Sequence, residues 1–232
     1  MKLEAQTILV SDLSVTDEAA MLELMQEHYE GVCEDQFVAD LHAKQWVILL
    51  HREGRFCGFS TQVLFEHCIA GHSVRILFSG DTIIDKSCWG SLALPVAWGR
   101  LMLSLAEAEP QTPLFWLLTS KGYKTYRFLP VFFREFYPRY ARQTPPFEKL
   151  LLESVAARQF GRRFDADAGI VRATLAAQRL REGVANISAE RLRDPHVAFF
   201  QQANPGHAQG DELVCLARGN RDNLTPYIRR QL

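Results

Sequence analysis

VRILFSGDTIIDKSCWGSLALPVAWGRLMLSLAEAEPQTPLFWLLTSKGYKTYRFLPVFFREFY, residues 74 to 137, decides more of the fold than any other stretch. It opens with a strand-like run, Val74 to Ile84, followed by a polar turn, Lys86-Ser87-Cys88, and then Trp89-Gly90. An amphipathic helix follows from roughly Leu94 to Glu109, with Leu94, Trp98, Leu101 and Leu105 on one face. Pro95 has no amide hydrogen and belongs in a first turn. The helix therefore starts no earlier than about Leu92, which leaves Lys86 to Ser91 as exposed turn. Leu114 to Leu118 reads as a strand and Ser120 to Leu129 as a helix that Pro130 ends or kinks. Val131 to Tyr137 starts a further helix or returns as a strand, with Phe132, Phe133, Phe136 and Tyr137 favouring helix. This order gives two parallel or splayed strands whose carboxyl-end turns are where ligands bind in open α/β sheets.

Upstream, Gln6 to Val10 reads as a first strand. Ser14 with Asp17 resembles a capping box, and Met21, Leu24, Met25 and His28 give one helical face. A second helix covers Asp35 to Ala43. Trp46 to Leu50, Phe56 to Phe65 and Val74 to Ile84, separated by Glu53-Gly54 and Ala70-Gly71-His72, predict a three-stranded antiparallel meander. Downstream, Thr144-Pro145-Pro146 starts a helix over Phe147 to Phe160, and Gly161 to Gly169 is loop. Ile170 to Gly183 is ambiguous and mostly helical in composition, and Ser188 to Arg193 is a short helix. Val197 to Gln201 and Leu213 to Ala217 read as strands of a late hairpin joined by NPGHAQGD. The expectation is one domain over 1–232, with a core at 6–137 and 195–218 and a helical insertion at about 138–194. That insertion could serve as a lid, a homodimer interface or a packed extension.

Composition narrows the function classes. The 232 residues are 47% apolar and 23% charged, ordinary for a soluble globular protein. A net charge of −1 gives no nucleic-acid signature. Five cysteines with no C-x-x-C pair suggest neither a disulfide framework nor a zinc site, so a reducing, cytoplasmic location is expected. The start MKLEAQTILVSDLS lacks the apolar run of a secretory signal, no stretch is apolar enough to span a membrane, and no H-E-x-x-H pattern suggests a metal. The 15 Phe suit a large core or an apolar ligand channel.

Strand, two helices, three antiparallel strands, helix, strand, helix and late strands resemble the GNAT superfamily of acyltransferases over residues 6–137, with 195–218 as a late hairpin. The resemblance implies an α/β fold with a mixed, mostly antiparallel central sheet, splayed central strands and helices on both faces. It also implies acyl-CoA or acetyl-CoA as cosubstrate. In that family a turn patterned Arg/Gln-x-x-Gly-x-Gly/Ala binds pyrophosphate through backbone amides at a helix N-terminus. The corresponding segment is Asp85-Lys86-Ser87-Cys88-Trp89-Gly90-Ser91-Leu92-Ala93-Leu94. Gly90 matches the first glycine, Trp89 stands where arginine is usual, and Leu92 and Leu94 stand where small residues are. Thr119, Gly122 and Tyr126 match the spacing of the family's Asn-x-x-Ala-x-x-x-Tyr, whose tyrosine is a general acid.

The resemblance thus implies Ile84, Asp85, Cys88, Trp89, Gly90, Ser91, Thr119, Lys121 and Lys124 as donor-binding residues and Tyr126 as acid. Asp81, beside the splayed strands, could deprotonate an acceptor amine or simply be a turn carboxylate after Gly80. Lys121, Lys124, Arg127, Arg134 and Arg139 form a basic run that could meet CoA phosphates or an acyl carrier protein, or be a solvated face. His67 and His72 flank a hairpin turn, either as bases or as solvated turn residues. The expected activity is direct acyl transfer from a thioester (acyl-CoA or acyl carrier protein) to an amine. The alternatives are an inactive GNAT-like binding or assembly protein and a synthase that uses a long acyl chain.

Overall fold

The computed structural model describes residues 3–174, 179–180 and 186–232. Strand β1 (Leu3–Leu9) leads to Ser14, which closes the expected capping box with Asp17 and starts helix α1 (Val15–His28). A short strand β2 (Tyr29–Glu30) and helix α2 (Glu34–His42) follow. The predicted meander is present as β3 (Trp46–Arg52), β4 (Arg55–Ile69) and β5 (His72–Ile84). Helix α3 (Ala93–Ala108) carries Pro95 in its first turn, where a missing amide is harmless. Strand β6 (Leu114–Ser120) completes the β5–α3–β6 crossover. Beyond it come α4 (Tyr123–Tyr126), α5 (Phe128–Phe132), α6 (Pro146–Phe160), β7 (Phe164–Asp165), β8 (Ile170–Val171), β9 (Arg179–Leu180), α7 (Pro195–Ala203), β10 (Glu212–Arg218) and α8 (Pro226–Arg229).

The eight-stranded sheet runs β1-β3-β4-β5-β6-β10-β8-β7, and β2 pairs with β9 apart from it. Every neighbouring pair in the large sheet is antiparallel except β5–β6, which is parallel. Its alternating side chains feed cores on both faces. On one face Leu77, Trp116, Leu118 and Cys215 pack with Leu94 and Trp98 of α3 and Tyr126, Phe132 and Phe200 of the later helices. On the other, Ile76, Phe78 and Leu117 pack on Leu151 and Val155 of α6, while Val47, Leu49 and Phe59 pack on Met21 and Met25 of α1 and Phe37 of α2. This is the mixed, mostly antiparallel α/β sheet that was expected. Among the described residues no helix is long and apolar enough to cross a membrane.

Four local expectations are corrected. The helix expected over Ser120 to Leu129 is two short pieces that break at Arg127, with Pro130 in the first turn of the second. Val131 to Tyr137 is not a helix beyond Phe132. The chain extends there, Phe133 and Tyr137 bridge to Leu224 and Leu216, and the Phe133 ring packs on Trp98 and Trp116. Val197 to Gln201 is not a strand: Asp194 caps α7 through the His196 amide, and Pro195 stands at the first helical position. No late hairpin forms, because β10 instead inserts between β6 and β8. Ile170–Val171 is a strand, and the rest of the ambiguous segment lies largely outside the described residues.

Candidate active site

Strands β5 and β6 pair from Arg75↔Leu114 to Ser79↔Leu118 and then part, β5 continuing to Ile84 and β6 to Ser120. The parting starts at a β-bulge. Ser60 pairs with Thr82 and Gln62 with Ser79, so Gly80 and Asp81 together oppose Thr61. Glycine is required there: a Cβ at Gly80 would lie 2.6 Å from Thr61 Oγ1 and 2.7 Å from Lys44 Cε. The bulge turns Asp81 toward the α1–α2 face while Thr82 and Ile84 face α3, as the clustering of Ile83 with the α1–α2 core and Ile84 with the α3 core shows.

Asp81 sits among charges that sequence alone did not gather. Burial pushes its pKa up, Lys121 and Lys44 pull it down, and Asp40 and Glu212 push it up again. Lys121 Nζ lies 3.6 Å from Glu212 Oε1 and 5.5 Å from the centroid of the Tyr29 ring. The Tyr29 phenol is driven up by burial, then by Asp81 and Glu212. A carboxyl, an ammonium, a second carboxylate and a phenol thus converge where β5 and β6 separate. Thr119 lies on the same side of β6, paired with Val214 and partly exposed. Tyr29 and Glu212 are the residues that sequence reasoning missed. Glu212 starts the strand whose neighbours were misread, and Tyr29 carries no local signal.

The turn after Ile84 forms the other half. Asp85 accepts from the Ser87 amide at 2.8 Å, and hydrogen bonds from Ser87 hold its carboxyl below the usual range. Cys88 is buried in contact with Cys57, whose thiol burial and Cys88 push to about 11, so Cys88 is packed rather than presented. The indole of Trp89 donates to the Ile84 carbonyl at 2.8 Å, and the Lys124 ammonium stands 3.4 Å over its ring. Burial and the nearby charges of Arg191 and Lys86 lower the Lys124 pKa. Gly90 adopts φ +85°, and Ser91 Oγ accepts from the Ala93 amide. Among the described residues the amides of Gly90, Ser91 and Leu92 have no partner at the start of α3. Leu92 is partly exposed, and Leu94 is buried in the α3 core.

Other predicted residues stand elsewhere. Tyr126 is fully buried against Phe136, Phe199 and Phe200, and its hydroxyl donates to the Pro138 carbonyl at 3.1 Å. Burial drives its pKa up. The basic run is dispersed: Arg127 pairs with Asp194 at 3.3 Å and Arg139 with Glu135 at 3.6 Å, leaving Lys124 with Lys86 and Arg191 beside the turn. His67 is buried and bonded to Ser154 of α6 at 2.9 Å. Two clefts of about 310 and 620 Å³, around Phe115 and Arg218, lie at the opposite end of β6. Among the described residues no cluster suited to a metal ion occurs.

No protein-family model matches the chain, and no curated protein matches it. Solved structures do. A conserved Enterococcus faecalis protein of unknown function, described as a probable N-acyltransferase, is 12% identical with a TM-score of 0.44, over 68% of this chain and 44% of its own. A Pseudomonas aeruginosa acyl-CoA N-acyltransferase is 16% identical with a TM-score of 0.35, over 50% of this chain and 79% of its own. An Escherichia coli GNAT family N-acetyltransferase in complex with CoA is 15% identical with a TM-score of 0.39, over 55% of this chain and 69% of its own. This chain thus spans less than half the length of the first of them. The likeness extends to fold alone.

Proposed function

We propose that this protein transfers an acyl group from a thioester donor, acyl-CoA or an acyl carrier protein, to an amine between the parted ends of β5 and β6. The observation that carries the reading is that two unlike half-sites flank the free end of β5, one at its bulge and one in the turn that follows it. On one side are the unpartnered amides of Gly90, Ser91 and Leu92 at the start of α3, with Lys86, Lys124 and Arg191 nearby. Amides and helix dipole favour a phosphate, and the lysines and arginine add to it. On the other is Asp81, with Lys121 and its ion-pair partner Glu212 beside it, a carboxyl suited to take a proton from an amine. Side chains and backbone together fit a CoA-type donor, which supplies the activated acyl carbonyl.

Asp81 takes the proton of the attacking amine. The C–N bond forms, the C–S bond breaks, and the sulfur leaves as a thiolate that is protonated by solvent, to which Asp81 in turn releases the proton it took. Most of the acceleration comes from holding donor and acceptor together. The raised pKa of Asp81 suits a base whose conjugate acid must hold its proton through the step. Tyr126, sealed in the core, takes no part in this scheme.

Calorimetry with CoA and acetyl-CoA tests it, with Lys124→Ala as the second protein. Micromolar binding that Lys124→Ala weakens about fivefold, the worth of one exposed charge contact of about 1 kcal/mol, supports the donor site. A second reading, a GNAT-like binding or assembly protein without catalysis, is favoured by one observation: the Trp89 indole already occupies the Ile84 carbonyl. Absence of binding by CoA, acetyl-CoA and acylated carrier protein alike would leave that reading standing and remove the first.

A further inference from the structure

A chain of side-chain hydrogen bonds crosses three strands beneath α3 and ends in the candidate site. The indole of Trp116 on β6 donates to Ser79 Oγ on β5 at 2.8 Å. Ser79 donates to Gln62 Oε1 on β4 at 2.6 Å, and Gln62 Nε2 donates to Ser60 Oγ at 2.7 Å. Ser60 and Thr82 hydroxyls lie 2.7 Å apart. Gln62, Ser60 and Ser79 are buried, so water does not compete along the chain.

The direction of the chain follows from its first member. An indole N–H can only donate. Ser79 therefore accepts from it and must place its own proton elsewhere, and the Gln62 amide oxygen is the acceptor within reach. The Gln62 amide group is thereby oriented with its nitrogen toward Ser60; the opposite orientation would aim two donors at Ser79 and strand the hydroxyl proton. Ser60 accepts from Gln62, and among the described residues the Thr82 hydroxyl is the partner within reach of its own hydrogen, so Ser60 donates to Thr82. Thr82 accepts, so its own proton is the one left over. The nearest acceptor for it is the Gly80 carbonyl at a long 3.4 Å. Thr82 lies beyond the last β5–β6 pair, partly exposed, and adjoins Asp81 on the opposite side of the strand.

We infer that Thr82 is a hydrogen-bond donor to the acyl carbonyl oxygen of the bound thioester, and that Trp116, Ser79, Gln62 and Ser60 are positioning residues that keep its proton free. The inference rests on the acyl-transfer reading above. As the amine attacks, the carbonyl oxygen gains negative charge, and a donor already aimed at it needs no reorganisation. The chain supplies a donor, the Ser60 hydroxyl, to the Thr82 oxygen, so the Thr82 hydrogen, held only at a long 3.4 Å from the Gly80 carbonyl, stays available to the ligand.

Acetyl-CoA has that carbonyl and CoA does not, so the ratio of their affinities isolates the contact. Calorimetry with both, on the wild type, Thr82→Val, Thr82→Ser and Ser79→Ala, is the experiment. In Thr82→Val the affinity for acetyl-CoA falls about fivefold while that for CoA stays, the worth of one neutral hydrogen bond. Thr82→Ser keeps the wild-type ratio, and Ser79→Ala falls between, because the chain loses its fixed direction while Thr82 remains. A merely structural role would weaken both ligands together. A ratio unmoved by Thr82→Val, with both ligands bound, overturns this inference and leaves the donor reading intact. Failure of the wild type to bind either ligand overturns this inference, and failure to bind acylated carrier protein as well overturns the donor reading with it.

Discussion

Tyr126→Phe separates a catalytic phenol from a packing one. In the structure the ring is fully buried among Phe136, Phe199 and Phe200, with centroids 5.7–6.2 Å away, so phenylalanine occupies the same space without a cavity. What is lost is one hydrogen bond of 3.1 Å to the Pro138 carbonyl. A neutral hydrogen bond contributes about 1 kcal/mol net, and the carbonyl left behind adds to the cost if water does not reach it, giving roughly 1–2 kcal/mol in all. For a chain of this length that lowers the melting temperature by roughly 2–8 °C. A general acid, by contrast, contributes about 10²–10⁴-fold in rate. Thermal unfolding and initial rates of thiol release from acetyl-CoA, with a panel of primary amines, are measured on the same preparations. The expected result is a lower melting temperature with kcat within about twofold of wild type. A kcat loss of about a hundredfold or more, with the melting temperature unmoved, would refute the reasoning and make Tyr126 the acid.

Asp81→Asn removes the proposed base while keeping its shape, so turnover is lost and CoA affinity kept, by the same rate assay and calorimetry. Because burial raises the Asp81 pKa in the fold, its ionised form costs stability once pH climbs past the ordinary carboxylate value of 3.8. The asparagine variant is therefore more stable than wild type in urea at neutral pH, and the gain shrinks as pH falls toward that value; the wild-type rate falls as pH drops through the raised pKa. Arg75 is buried, and its guanidinium donates to the carbonyls of Leu105, Glu109 and Thr112 at 2.9, 2.8 and 3.2 Å, closing the end of α3. Arg75→Met leaves those carbonyls without their donors and costs roughly 2–5 kcal/mol by urea unfolding. Glu109→Ala, whose carboxylate is exposed 3.5 Å from Arg75, costs under about 1 kcal/mol.

The sequence disclosed the parts whose signal is local. The meander from Trp46 to Ile84 is set off by Glu53-Gly54 and Ala70-Gly71, where Glu53, Gly54, Ala70 and Gly71 all adopt positive φ, and the start of α3 follows from one proline. What stayed hidden was decided by distant partners. Val197–Gln201 has strand-like residues, but Asp194 and Pro195 start a helix that buries Val197 and Phe200. The aromatic run after Pro130 favours a helix by spacing, yet Tyr137 exchanges both hydrogen bonds with Leu216, 79 residues further along the chain. The site divided the same way. Asp81 was legible beside Gly80, whereas Glu212 and Tyr29 join it only through the neighbourhood of β10 and the end of α1.

One extra residue in β5 accounts for most of the site. Without the bulge, β4 and β5 would keep register, and the residues opposite Thr61 would alternate as in any antiparallel pair. With it, Gly80 and Asp81 share one partner, the strand bends, and β5 leaves β6 two residues before β6 itself ends. Asp81 is then aimed at the α1–α2 side and Thr82 at the α3 side, so neighbouring residues serve the two proposed half-sites, acceptor and donor. The arrangement has a cost that the structure displays: Thr61 Oγ1, buried against the bulge, has no hydrogen-bond partner among the described residues. A side chain at Gly80 would strike that oxygen. A fold selected for stability alone would relieve both features by restoring the register, and would then pair the two strand ends between which the thioester and the amine are proposed to meet.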